Sequence, residues 1–91
     1  LALGGNDTVY GNGGVDDIRG GTGNDMLFGS VNVERIDGGD GDDTLYGNGE
    51  GDLLLGGNGN DTFYGSSGSE TIFGGAGNDL IYTNGGDDLI N

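Results

Sequence analysis

Apolar side chains along this 91-residue chain fall at a fixed interval. Counting in nines from Ala2 divides residues 2–91 into ten nonamers with no insertion. The eighth place is then Val9, Ile18, Leu27, Ile36, Leu45, Leu54, Phe63, Ile72, Ile81 and Ile90, apolar every time. The sixth is Asp7, Asp16, Asp25, Glu34, Asp43, Asp52, Asp61, Glu70, Asp79 and Asp88, acidic every time. Glycine holds position four in eight of the ten, failing at Asn32 and Glu50. Two columns kept over ten repeats mark a repeat architecture rather than a low-complexity coil. Helix is excluded by the glycine density and by the spacing of apolar residues. Each nonamer reads instead as a six-residue glycine-rich turn followed by a three-residue strand, such as Thr62–Tyr64. The middle strand residue points into a narrow core and its neighbours point out, because side chains alternate across a strand.

A second period lies over the first. Odd nonamers carry Gly21, Gly39, Gly57 and Gly75 at position two, where even ones carry Asn12, Ser30, Asn48, Ser66 and Asn84. Position nine of every odd nonamer is aromatic: Tyr10, Phe28, Tyr46, Tyr64 and Tyr82. The structural repeat is therefore 18 residues, a coil of two turns and two strands. Odd nonamers stack along one side and even ones along the other. The fold class is all-β, a parallel solenoid of about five coils, forming a rod roughly 24 Å long at a strand spacing of about 4.8 Å. This register sets Asp17 beside Arg35 and Arg19 beside Asp37, so both arginines meet an aspartate on the neighbouring coil.

Composition narrows the function. Sixteen carboxylates face two arginines, giving a formal net charge of −14. Such a chain repels nucleic acid and anionic membrane, since both are bound largely through basic residues. It attracts cations. No apolar run approaches the roughly 18 residues of a membrane-spanning helix. Cysteine and histidine are absent, which leaves carboxylates, amides and loop carbonyls as the only ligands. Zinc and copper suit such a set poorly, calcium suits it well, and magnesium ranks second because it demands a tighter octahedron. A core of one apolar side chain per nonamer is small for the chain it must order, and domains of that kind need a staple. Paired carboxylates such as Asp42–Asp43 and Asp87–Asp88 fall on loop positions explained by the repeat, so catalysis is not expected. The Asn-Asp-Thr tripeptides at 6–8 and 60–62 match a glycosylation acceptor but occupy the same loop positions.

Four nonamers, GGTGNDMLF (20–28), GGDGDDTLY (38–46), GGNGNDTFY (56–64) and GGAGNDLIY (74–82), resemble the calcium-binding repeats-in-toxin (RTX, hemolysin-type) motif of secreted bacterial proteins. The resemblance covers the chain from Ala2 onward. It implies a right-handed parallel β-roll with calcium between loops of successive coils on one side. In the family's ligand scheme, one loop gives the carbonyls of positions two and four and the sixth-position carboxylate. The neighbouring loop gives the carbonyls of positions one and three and the fifth-position side chain. Carried onto this chain, the sixth-position ligands are Asp7, Asp25, Asp43, Asp61 and Asp79, and the fifth-position ones Asn6, Asn24, Asp42, Asn60 and Asn78. The loop carbonyls belong to Gly20, Gly21, Thr22 and Gly23; Gly38, Gly39, Asp40 and Gly41; Gly56, Gly57, Asn58 and Gly59; and Gly74, Gly75, Ala76 and Gly77. Five odd loops enclose four gaps, hence four calcium sites.

The even side departs from the motif. Its fifth positions are Val15, Val33, Gly51, Ser69 and Asp87, and Glu34 and Glu70 replace aspartate at position six. Sites built on Asp16, Asp52, Asp88, Glu34, Glu70 and Asp87 are therefore expected to be weak or empty, with Glu70 and Asp87 the least damaged pairing. The expectation is a single non-catalytic module over 1–91, a fragment of a larger secreted or cell-surface bacterial protein. It would stay unfolded where calcium is scarce and fold outside the cell after type I secretion, as a spacer or stabilising attachment to a flanking domain. Rod ends without caps invite end-to-end or face-to-face self-association. The alternative is a glycan- or polymer-binding module that uses the strip Tyr10, Phe28, Tyr46, Tyr64 and Tyr82; the duller role of that strip is a stacking ladder between strands.

Overall fold

A computed structural model describes residues 4–11, 17–30, 35–49, 51–65 and 71–82, and the backbone of 89–90. The described residues form ten strands: β1 (Thr8–Tyr10), β2 (Asp17–Arg19), β3 (Met26–Phe28), β4 (Arg35–Asp40), β5 (Thr44–Tyr46), β6 (Leu53–Asn58), β7 (Thr62–Tyr64), β8 (Thr71–Phe73), β9 (Leu80–Tyr82) and β10 (Leu89–Ile90). Odd strands make one five-stranded sheet in the order β1-β3-β5-β7-β9, and even strands make the other in the order β10-β8-β6-β4-β2. All pairings are parallel, and partners lie 18 residues apart, as in Leu27↔Leu45 and Ile36↔Leu54. The two periods of the sequence thus become the two sheets of a β-solenoid. No helix among the described residues is long and apolar enough to cross a membrane.

The core is the eighth-position column. Ile18, Leu27, Ile36, Leu45, Leu54, Phe63 and Ile72 are buried, with Val9 and Ile81 half-buried at the ends of the odd sheet. Ile90 lies where only the backbone is described. Full burial of one such side chain contributes about 1.5–3 kcal/mol. Two strands run longer than the three residues expected. In β4 and β6 the chain stays extended past the strand into the first three residues of the next odd loop, pairing Gly39↔Gly57 and Asp40↔Asn58. Isolated bridges Thr22↔Asp40 and Asn58↔Ala76 continue that pairing on either side. The loop backbones of successive odd nonamers are therefore hydrogen-bonded to each other. The molecule measures 32 × 28 × 13 Å, so each coil is broad and thin and the solenoid is a slab more than a slender rod.

Outward columns follow the same register. The position-nine rings stack nearly parallel, with centroids 4.8, 4.6, 4.7 and 5.0 Å apart from Tyr10 to Tyr82. Asp17↔Arg35 and Arg19↔Asp37 are cross-strand partners as expected. Their contacts differ in detail. Arg35 reaches Asp17 at 3.2 Å and Asp37 at 3.6 Å, whereas Arg19 turns back along its own strand to Asp17 at 3.0 Å. Asp17 collects both guanidinium groups, and its hydrogen bond to Arg19 leads the causes that hold its carboxyl below the usual carboxylate range. Asp17 and Arg19 are exposed and Arg35 and Asp37 only half-buried, so the cluster adds little stability.

Truncating the core should be costly and truncating an outward neighbour should not. Phe63→Ala is expected to lower unfolding free energy by about 3–5 kcal/mol in calcium-containing urea titrations. Thr62→Ala, one residue away, should change it by less than about 1 kcal/mol. Equal effects would contradict the inward assignment of the eighth column.

Candidate metal centre

The odd loops stack so that their carbonyls alternate in direction along the solenoid. The Gly21 carbonyl accepts the Asp40 N–H at 2.9 Å and the Gly57 carbonyl the Ala76 N–H at 3.1 Å, so position two faces the following coil. Position three faces back: the Asn58 carbonyl accepts the Gly41 N–H at 3.0 Å, and the Ala76 carbonyl the Gly59 N–H at 3.1 Å. Position four again points forward, since a Cβ added to Gly41 would land on the Gly23 carbonyl oxygen. Gly41 has φ +116°, a conformation that an L side chain avoids in any case. Position one points back, with the Gly38 oxygen 2.6 Å from where a Cβ on Gly20 would lie. Each gap between odd loops is thus walled by carbonyl oxygens from both sides.

The sixth-position carboxylates are split between two tasks. One oxygen of each accepts a backbone N–H from the preceding coil: Asp25 Oδ1 from Asp7, Asp43 Oδ1 from Asp25 and Asp61 Oδ1 from Asp43, each at 2.8 Å, and Asp79 Oδ1 from Asp61 at 3.0 Å. The other oxygen behaves differently. Oδ2 of Asp7, Asp25, Asp43 and Asp61 is buried and has no hydrogen-bond partner. The site Cβ would fill at Gly20 lies 2.5 Å from Asp25 Oδ2 and 2.6 Å from the Gly38 carbonyl, so the two oxygens converge on one cradle. The same arrangement recurs at Gly56 with Asp61 Oδ2 and the Gly74 carbonyl, both at 2.5 Å. A buried anionic oxygen facing a carbonyl without a donor is costly. A hard cation supplies the missing partner, so the residues present fit calcium.

Electrostatics point the same way. Burial pushes the Asp43 carboxyl up to about 6, opposed by the Asp25 N–H and reinforced by the charges of Asp25, Asp42 and Asp37. Burial likewise pushes Asp61 up to about 7, with the Asp43 N–H opposing and Asp43, Asp79 and Asp42 adding to the rise. Among the described residues no three carboxylates cluster tightly enough to hold an ion by themselves. Any site here must draw most of its oxygens from the backbone.

Fifth-position side chains also form a column. Asn6 Oδ1 accepts the Asn24 N–H, Asn24 Oδ1 the Asp42 N–H, Asp42 Oδ1 the Asn60 N–H and Asn60 Oδ1 the Asn78 N–H, all at 2.8 Å. Each therefore faces the following coil. Each oxygen thus leans the same way as the position-two and position-four carbonyls of the odd loops. Sequence spacing could not supply this, because it fixes which residues stack but not the direction each side chain leans.

On the even side Asp52 is the one sixth-position residue described. It is buried, and its Oδ2 accepts the Gly49 N–H of its own loop at 3.3 Å. Asn48, at φ +64°, donates from Nδ2 to the Gly29 carbonyl at 3.1 Å. This loop turns its aspartate inward on itself, where the odd loops leave an oxygen to the gap. Asp16, Glu34, Glu70, Asp87 and Asp88 lie outside the described residues.

The raised values of Asp43 and Asp61 fix the sign of a pH response. A carboxyl that binds its proton more tightly folded than unfolded favours the fold when protonated, and that contribution is lost as pH rises through the folded value. In chelator, β-structure should increase as pH is lowered from about 7 to about 5, and Asp43→Asn with Asp61→Asn should flatten the response. With calcium present the sign reverses for binding, because protons and metal compete for the same oxygens. Circular dichroism and calorimetry at matched pH values check both.

The chain matches the family described as the RTX calcium-binding nonapeptide repeat (four copies) over residues 1–27, 28–63 and 64–91. No curated protein and no solved structure matches it. With a match along its whole length and a two-sheet parallel solenoid in an 18-residue register, the chain belongs to the RTX calcium-binding nonapeptide repeat family.

Proposed function

We propose that this calcium-binding module holds its ions in the four gaps between odd loops and that their binding drives folding. The observation that carries the reading is the set of four buried, unpartnered oxygens, Oδ2 of Asp7, Asp25, Asp43 and Asp61. Asp25, Asp43 and Asp61 belong to loops whose position-two and position-four carbonyls face forward, and the next loop returns those of positions one and three. Calcium tolerates such irregular oxygen sets and supplies the charge that offsets the stacked carboxylates. Backbone N–H groups hold Oδ1 of Asp25, Asp43, Asp61 and Asp79, which fixes each carboxylate so that Oδ2 is presented to the gap. Occupied loops on this edge would contrast with the loop of Asp52, whose carboxylate is satisfied internally.

Folding coupled to metal follows from the same charges. A −14 chain with 25 glycines has little reason to collapse alone. Binding free energy then becomes folding free energy. Such a module stays extended where calcium is low and sets into a stiff solenoid where calcium is millimolar, which suits export of a larger protein followed by folding outside the cell. Its role there is structural, as a spacer or stabilising attachment to a flanking domain, with no reaction of its own. The aromatic column serves this structure. Each ring from Phe28 to Tyr64 has both faces against neighbouring rings, which leaves only edges for a sugar.

Calcium titration followed by far-UV circular dichroism should convert a disordered spectrum into a β-spectrum, with about four ions bound per chain by calorimetry. A full β-signal in excess chelator would refute the coupling. Tyr64→Ala should weaken the calcium-bound fold by about 1 kcal/mol beyond its lost burial. Saturable retention on an immobilised polysaccharide, abolished by that change while the fold persists, would instead favour recognition.

A further inference from the structure

Loop 38–43 differs from its neighbours in what it sends toward the following coil. Asp43 contributes the buried, unpartnered Oδ2 common to the column. Asp42 occupies the fifth position, where the other odd loops carry asparagine, and its Oδ1 reaches the Asn60 N–H across the gap. Asp40, at position three, accepts the Asn58 Nδ2–H at 3.0 Å across the same gap. The other odd loops carry Gly4, Thr22, Asn58 and Ala76 at that place. Loop 38–43 therefore sends the exposed carboxylates of Asp40 and Asp42 toward loop 56–61 in addition to carrying the buried Oδ2 of Asp43, whereas every other odd loop has a single carboxylate among these three positions.

Building on the calcium reading above, we infer that the gap between loops 38–43 and 56–61 is the highest-affinity cation site and the place where metal-driven folding begins, with Asp42 as the residue that sets it apart. Two arguments support the ranking. Affinity of oxygen sites for calcium rises with the number of charged ligands and near neighbours. Asp42 is exposed and directly precedes Asp43, whose orphaned oxygen is buried, so the added charge stands at the rim of the seam and its effect weakens with salt. The gap is also one of the two inner ones of the four. An ion there fixes β5 and β7 in register, and each newly ordered loop then presents its far face to the next gap, so ordering spreads toward both ends as in other solenoids.

Asp42→Asn is a clean probe, since asparagine keeps the oxygen that accepts the Asn60 N–H and removes only the charge. Stepwise calcium binding to the full chain is measured by calorimetry, with circular dichroism on the same samples. The native chain should show one step at least about tenfold tighter than the rest. Asp42→Asn should weaken that step by about tenfold and leave the total number of ions unchanged. Adding Asn60→Asp to that background should restore a tight first step, because residue 60 faces the gap toward loop 74–79. Adding Asn78→Asp, an equal charge in the last odd loop and beyond the four gaps, should not. An unchanged first step in Asp42→Asn, equal weakening of all steps, or equal rescue by Asn78→Asp would overturn the inference while leaving calcium binding intact. Absence of calcium binding by the native chain would overturn both.

Discussion

Side chains at the same place in successive 18-residue coils sit one strand spacing apart, and their compatibility at that distance decides what each column does. Apolar residues meet apolar residues and form the core. Rings meet rings at 4.6–5.0 Å and stack. Amide and carboxylate oxygens at the fifth position meet backbone N–H groups and are satisfied. The sixth position alone sets carboxylates over carboxylates in a buried seam. There one oxygen is bonded and the other is left facing carbonyls. The stack's advantage everywhere else creates its electrostatic problem at this one column, which is where the proposed calcium sites lie.

The two edges of the solenoid resolve the same sequence position in different ways. At Asp52 the loop folds on itself, a left-handed Asn48 helps close the turn, and an N–H within the loop takes up the second oxygen. In the loops that begin at Gly20, Gly38, Gly56 and Gly74, glycines at positions one and two, the second at φ +87° to +92°, let the backbone bond to the neighbouring coil, and Oδ2 of Asp25, Asp43 and Asp61 meets no hydrogen-bond donor. Without a Cβ at position one, the carboxylate and the facing carbonyl can share a single cradle. Substituents too small to notice in a composition table thus separate a loop that answers its own charge from one that presents it.

Much of this was legible in the chain. The 9- and 18-residue periods gave the strands, the two sheets, the register and the inward column, because a stack permits each residue type only one set of neighbours. The pairing of Asp17 with Arg35 followed from the same arithmetic. What escaped was set by side-chain torsions and backbone direction. Arg19 prefers the nearer Asp17, two residues back on the same strand, to the cross-strand Asp37, since a long flexible side chain on a surface chooses by reach. The forward lean of Asn6, Asn24, Asp42 and Asn60, and the continuation of β4 and β6 into the odd loops, depend on hydrogen bonds that no spacing encodes. Identical register cannot by itself reveal which of two neighbours an oxygen faces.

Uniform register also sets how such a chain can change length. Because Leu27 meets Leu45 as Leu45 meets Phe63, removing or copying any 18-residue unit leaves the joined coils with partners of the same kind. An insertion of nine would lay β5 over a strand of the opposite sheet, set rings against leucines and aim an Asp52-type loop at an open one. Growth by duplication is therefore quantised in whole coils, each adding one seam. Descendants of such an ancestor would differ in extent while keeping their cross-section.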